Sequence, residues 1–167
     1  MLIRRARQAD IPDIGRLLHQ VEDVHHQGRP DLFRAGGRKY DDSQLATMLA
    51  DDFRPIFVAT SPEDARVLGY AFCVLERYEG DGAHCDMLSL YIDDLCVDEA
   101  VRGRHVGTEL YDHVLGFARE KGCHNVTLNV WSCNASARAF YEARGLKPYK
   151  VGMEQVLWPR RHNATTR

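Results

Sequence analysis

Val97-Asp98-Glu99-Ala100-Val101-Arg102-Gly103-Arg104-His105-Val106-Gly107 is the stretch whose reading decides the fold. The residues before it alternate, with Leu88, Leu90 and Ile92 apolar and Ser89, Tyr91 and Asp93 polar, which is the two-residue period of a strand. After it, Val106, Leu110, Val114, Leu115 and Ala118 recur at helical spacing. A short basic turn therefore joins a strand to an amphipathic helix. Gly103 and Gly107 let the backbone approach a ligand closely where a helix start presents unpaired N–H groups. The helix dipole favours a negative charge there by about 0.3–1 kcal/mol, and Arg102 and Arg104 add mobile positive charge, so the turn reads as a phosphate site. The chain contains neither GxxxxGK[ST] nor GxGxxG, which excludes a nucleotide P-loop and leaves a dinucleotide fold without its fingerprint.

Working outward, Ile3-Arg4-Arg5-Ala6 reads as a short first strand. Asp10-Ile11-Pro12 reads as a helix start with proline early, continued by Ile14, Leu17, Leu18 and Val21. Residues 25–40, with Gly28, Pro30, Gly36 and Gly37, read as a loop, and residues 42–52 as a second helix. Two apolar runs, 56–60 and 67–75, flank the turn Ser61-Pro62-Glu63-Asp64 and predict an antiparallel hairpin. The turn Gly80-Asp81-Gly82 precedes the strand that ends at Val97. Residues 126–131 alternate as a strand, Asn134 caps a helix running to Ala143, and Gly145 stops it. A last strand is expected over residues 151–158. Antiparallel strands followed by strand, helix, strand, helix, strand make a mixed α/β sheet, expected as one domain over residues 1–167.

With 44% apolar and 28% charged residues the composition is that of a soluble globular protein. No stretch approaches 18 consecutive apolar residues and the start lacks a signal-peptide core, so a cytoplasmic location without a membrane partner is expected. Five cysteines without CxxC spacing read as reduced, and the eight histidines show no HExxH or paired Cys/His pattern, so no metal is expected. Asn163-Ala164-Thr165 is read as a chance glycosylation triplet. The net charge of −2 is uneven: residues 76–100 hold eight acids against one base, and residues 101–167 eleven bases against five acids. That split fits an anion bound by the later part and a cation near the middle, and it lacks a nucleic-acid footprint.

The spacing of Val97, Arg102 and Gly107, together with Asn134, Ala137, Phe140, Tyr141 and Gly145, resembles the two signatures of the GNAT superfamily of acetyl-coenzyme A-dependent N-acetyltransferases. The resemblance extends over residues 3–158. It implies the GNAT fold, a mixed and mostly antiparallel central sheet splayed after the fourth strand and flanked by helices. It also implies acetyl-CoA as cosubstrate, held by the backbone of Leu95, Cys96 and Val97, by Arg102, Gly103, Arg104, His105, Val106, Gly107 and Thr108, and by Asn134. His105 occupies a position where the family carries glycine. Either the backbone there needs positive φ, or the glycine makes room and imidazole lies beside the pyrophosphate, or the side chain points to solvent.

The implied reaction is direct attack by a primary amine in a ternary complex. An alkylamine with a pKa near 10.4 must first lose a proton, at a cost of about 4 kcal/mol at neutral pH. Strand alternation puts Asp93 toward a cavity and Asp94 on the other side, unless a bulge shifts the register. The family often carries a Glu-Asp pair at these two positions, so the resemblance makes Asp93 the first candidate for base, or for an anchor that only orients the amine's charge. Tyr141 matches the family's acid, against the plainer reading of a packed helix tyrosine. Tyr91, Asp94, Trp131 and Phe33 are expected at the acceptor site, with His25, His26, Arg29 and Asp31 as further candidates. The expected acceptor is a small-molecule or peptide amine, cationic before reaction, and a homodimer is compatible with the resemblance. The alternative is a non-catalytic acyl-CoA-binding sensor or interaction module.

Overall fold

Five strands form one sheet in sequence order: β1 (Leu2–Arg5), β2 (Ile56–Thr60), β3 (Val67–Tyr78), β4 (Met87–Val97) and β5 (Asn125–Leu128). β1 to β4 are antiparallel neighbours, and β5 joins β4 in parallel. Among the described residues four α-helices accompany them, α1 (Ile11–Gly28), α2 (Asp42–Leu49), α3 (Val106–Glu120) and α4 (Ala135–Ala143). This is a computed structural model, and it describes residues 1–80 and 82–157. No helix among the described residues is long and apolar enough to cross a membrane.

Alternation along the strands splits the core in two. Ile14, Leu17 and Leu18 of α1 and Leu45 of α2 pack against Ile56, Val58, Tyr70 and Phe72 on one face of the sheet. Leu110, Tyr111, Val114 and Ala118 of α3 pack against Phe57, Ala71, Cys73, Leu90 and Ile92 on the other. Each fully buried aliphatic side chain contributes about 1.5–3 kcal/mol, so the 3.6-residue stripe on each helix fixes which face it covers.

Two departures from regular pairing create the functional gap. In β3–β4 the register slips, since Phe72 pairs with Asp94 but Cys73 with Ile92, leaving Asp93 as the extra residue of a bulge. Ile92 consequently faces α3, whereas Asp94 and Cys96 face α1. Asp93 meets Lys39 and Tyr40 of the α1–α2 connection on that same face. The expectation of opposite faces for Asp93 and Asp94 is thus corrected by the bulge. The second departure is that β5 pairs with β4 only from Ser89 to Ile92, while β4 runs on to Val97. The sheet is splayed beyond that point.

Several boundaries differ from the sequence reading. α1 continues to Gly28, into the expected loop, because the Arg29 N–H still reaches His25 O at 2.8 Å. α2 stops at Leu49, where the Ala50 and Asp51 N–H groups turn back to Thr47 O and Met48 O. β3 extends to Tyr78, and β5 ends at Leu128 because the chain leaves the sheet. Residues 151–157 join no strand, and Trp158 and the Asn163 triplet lie outside the described residues.

Candidate active site

Asp98 fixes the turn that follows β4. Its carboxylate, 2% exposed, accepts Arg16 Nη1 at 2.7 Å, Arg66 Nη2 at 2.8 Å and the Ala100 N–H at 3.1 Å. Gln20 Nε2 approaches the same carboxylate at 3.5 Å, and Gln20 Oε1 accepts the Glu99 N–H at 3.1 Å. Burial pushes Asp98 up, yet the Ala100 N–H, Arg16 and Gln20 hold it below the usual carboxylate range. One carboxylate therefore ties the short turn Glu99–Val101 to α1 and to the β2–β3 connection.

Beyond that turn the chain twice enters the left-handed region, at Gly103 with φ 79° and at His105 with φ 63° and ψ 5°. Positive φ is what glycine would supply at position 105. His105 is exposed and caps α3 without a side-chain hydrogen bond, so about 1 kcal/mol of strain goes uncompensated by its side chain. A cleft of about 290 Å³ opens here, lined by Val97, Val101, Arg102, Gly103, His105, Val106, Gly107, Thr108 and Phe140. A Cβ on Gly107 would lie 3.3 Å from Val97 Cγ2 and 3.7 Å from the Phe140 ring, so glycine holds the α3 start tight against β4. Arg102 Nε donates to Val97 O at 3.3 Å, where β4 runs on beyond its pairing with β5.

Of the residues expected to hold the cofactor, Val97, Arg102, Gly103, His105, Val106, Gly107 and Thr108 line one cleft. Leu95 packs toward α3, and Cys96 is buried with its Sγ–H donating to Leu17 O at 3.6 Å, so these two offer only backbone. Arg104 is exposed beside the cleft. Asn134 Oδ1 accepts from the Ala137 N–H and from Ser136 Oγ, both at 3.1 Å, which starts α4 and sets Phe140 and Tyr141 against α3. The sequence reading missed Arg144, whose guanidinium donates to Thr108 Oγ1 and lies 5.1 Å from the Phe140 ring centroid. No local pattern marks it, because α4 brings it back to α3.

Deeper in the splay, Asp94 is enclosed by protein yet keeps part of its surface open, as expected of a group lining a crevice. Burial pushes its carboxyl up to about 6, against a 2.7 Å hydrogen bond from Tyr70 Oη that favours the charged form. Tyr141 is likewise enclosed but partly open, with its ring 5.2 Å from Phe140 and 6.2 Å from Tyr111. Burial first, and then the charge of Asp94, push its hydroxyl well above the ordinary phenol value, so it stays protonated.

Asp93 is engaged by two partners that the sequence did not reveal. Lys39 Nζ donates at 2.8 Å and Tyr40 Oη at 2.8 Å. Burial opposes the charge on Lys39, but Asp93 leaves it raised. Among the expected acceptor residues, Phe33 and Trp131 meet edge to face at 5.2 Å, and His25 stacks 4.9 Å from Phe33. Tyr91 Oη accepts from Asn129 Nδ2 at 3.1 Å. His26 and Arg29 serve the loop instead: His26 Nδ1 bonds Phe33 O at 2.8 Å, and Arg29 grips Asp31 and Glu154.

Residues 20–146 match the acetyltransferase (GNAT) family. A mycothiol acetyltransferase of Beutenbergia cavernae is 37% identical over 81 residues, covering 44% of this chain, and the match spans only 27% of that protein's length. The thialysine N-epsilon-acetyltransferase of Mus musculus is 25% identical over 150 residues, 86% of this chain and 82% of that one. A crystal structure of a mutant BH1408 protein from Bacillus halodurans superposes with a TM-score of 0.89 at 26% identity, over 95% of this chain and 100% of the other.

Proposed function

The chain belongs to the acetyltransferase (GNAT) family and is an acyltransferase, and from that premise we propose that it moves an acetyl group from acetyl-CoA to a primary amine by direct attack within a ternary complex. The observation that carries the reading is the gap where β4 outruns β5, with the glycine-bearing start of α3 at one end and Asp94 and Tyr141 inside it. The N–H groups of the first turn of α3, with Arg102 and Arg104 beside them, suit a pyrophosphate. The freed edge of Leu95, Cys96 and Val97 suits the amides of a pantetheine arm laid alongside as an added strand. Acetyl-CoA, when bound, supplies the activated thioester.

Asp94 is the base in this reading. Its Oδ atoms take the proton that the ammonium must lose, and a carboxyl near 6 is ionised at neutral pH yet more basic than an exposed one. Asp93, held by Lys39 and Tyr40, anchors the α1–α2 connection over the gap. Tyr141 Oη gives its proton to the departing sulfur. The whole chain forms a single acetyltransferase domain in this account.

The test is thiol release from acetyl-CoA across a panel of polyamines, aminoglycosides, amino acids and peptides. Amine-dependent release that saturates in both substrates is expected. Coenzyme A binding without release by any amine would favour a non-catalytic acyl-CoA-binding module.

A further inference from the structure

Resting on the acetyl-transfer reading above, we propose that the acceptor is a primary amine carried on an uncharged aromatic or apolar body, which lies on the Phe33–Trp131 pair with its ammonium group toward Asp94.

Trp131 follows β5 after the chain has left the sheet, and it is 40% exposed although Phe33 meets it edge to face at 5.2 Å. A tryptophan needed only to close the fold would bury its faces, and an aromatic pair left partly open is a stacking surface. His25 bridges this pair to the base. Its ring stands 4.9 Å from Phe33 and 6.5 Å from Trp131, and it lies within electrostatic reach of Asp94. His25 Nδ1 is sealed from water without a hydrogen-bond partner among the described residues, so packing holds the ring in this position.

Charge in the same region selects a cation with a neutral body. Glu22 Oε2 lies 3.8 Å from His25 Nδ1 and its charge reaches Tyr70, the partner of Asp94, so a second carboxylate adds to the negative field around Asp94. The cations of the overlying loop are engaged: Arg29 by Asp31 and Glu154, Arg38 by Asp42 at 2.9 Å, and Lys39 by Asp93. Arg34 is exposed. Among the described residues of that loop, an acceptor bearing phosphate or carboxylate would meet acids and no disengaged cation but Arg34.

Steady-state kinetics at saturating acetyl-CoA with 2-phenylethylamine, n-butylamine, lysine and glucosamine 6-phosphate decide the matter. The kcat/KM for 2-phenylethylamine should exceed that for n-butylamine by about tenfold, the scale of one aromatic contact, and exceed those for the two amines that bear a carboxylate or phosphate by more. Trp131→Ala and Phe33→Leu should each raise KM for 2-phenylethylamine about fivefold or more while KM for acetyl-CoA stays within about twofold. Preference for lysine or glucosamine 6-phosphate, or an unchanged KM in both variants, would overturn the proposal. If no amine releases thiol, the acetyl-transfer reading fails, and calorimetry of 2-phenylethylamine with the coenzyme A-saturated protein still decides. Binding lost in Trp131→Ala supports the subsite, and no binding to the unsubstituted protein removes it.

Discussion

The two walls of the gap are built by opposite means. The cofactor wall is made by consecutive backbone, with the turn after Val97 shaped by two left-handed residues and a glycine packed against β4, and its exposed side chains lie at the rim. The acceptor wall is made by side chains from α1, the α1–α2 connection, β4 and the segment after β5, converging on an enclosed carboxylate. Backbone recognition tolerates changes of side chain but not of dihedral angle. Side-chain recognition behaves the other way round, so substitutions on the two walls should separate into changes of cofactor affinity and changes of turnover or acceptor choice.

The largest effect is expected inside the gap. Tyr141→Phe should lower kcat by about 10²–10⁴-fold, the range for one general acid, with the Kd for coenzyme A changed less than about twofold. An active variant would return Tyr141 to the role of a packed helix residue. Next comes Asp98→Ala, which strands two arginines against the turn. A loss of on the order of 2–3 kcal/mol in stability is expected, below the full range for buried pairs because both arginines reach solvent. Calorimetry should also record weaker coenzyme A binding, while the KM for the amine stays nearly constant. An equal loss on both substrates would blur the division between the walls.

Gly107→Ala is smaller. The added Cβ presses on Val97, so coenzyme A affinity should fall by about threefold to tenfold while the acceptor preference is retained. The smallest effect, and one of opposite sign, is expected from His105→Gly, which relieves a positive φ and should stabilise the fold by about 0.5–1 kcal/mol in thermal unfolding. Coenzyme A binding should hold or tighten, and weaker binding would mean that the imidazole contributes to it.

The cofactor wall was legible because its determinants lie within eleven residues, Val97 to Gly107, and glycine spacing carries backbone geometry directly. Even there the φ of His105 was out of reach, since a histidine in sequence does not announce its dihedral angles. The acceptor wall was legible only as a set of candidates. Alternation over Ser89, Tyr91 and Asp93 runs into the bulge without a glycine or proline to mark it, so the face taken by Asp94 depended on pairing with β3. Lys39 and Tyr40 reach Asp93 across more than fifty positions, and Arg144 reaches Thr108 across 36. The hydrophobic stripes of α1 and α3 were read correctly because packing on a sheet requires them. The extent of α1 was not, as two histidines and a glycine at its end looked like the start of a loop.

Asp94 also leaves a signature in stability. Its folded pKa of about 6 lies above the ordinary carboxylate value, so charging it costs the folded state, and that cost appears as pH rises through the interval from 3.8 to about 6. Asp94→Asn should therefore stabilise the fold at pH 8 by on the order of 1 kcal/mol after loss of the charged bond to Tyr70, read as a higher Tm, and change Tm little at pH 4.

The central claim is that Asp94, and not Asp93, takes the amine's proton. The direct measurement is the pH dependence of kcat/KM for the amine in the unsubstituted protein, Asp94→Asn and Asp93→Asn. The account predicts a limb rising through an apparent pKa of about 6 that persists in Asp93→Asn and vanishes in Asp94→Asn. A limb that survives in Asp94→Asn and is lost in Asp93→Asn would contradict it.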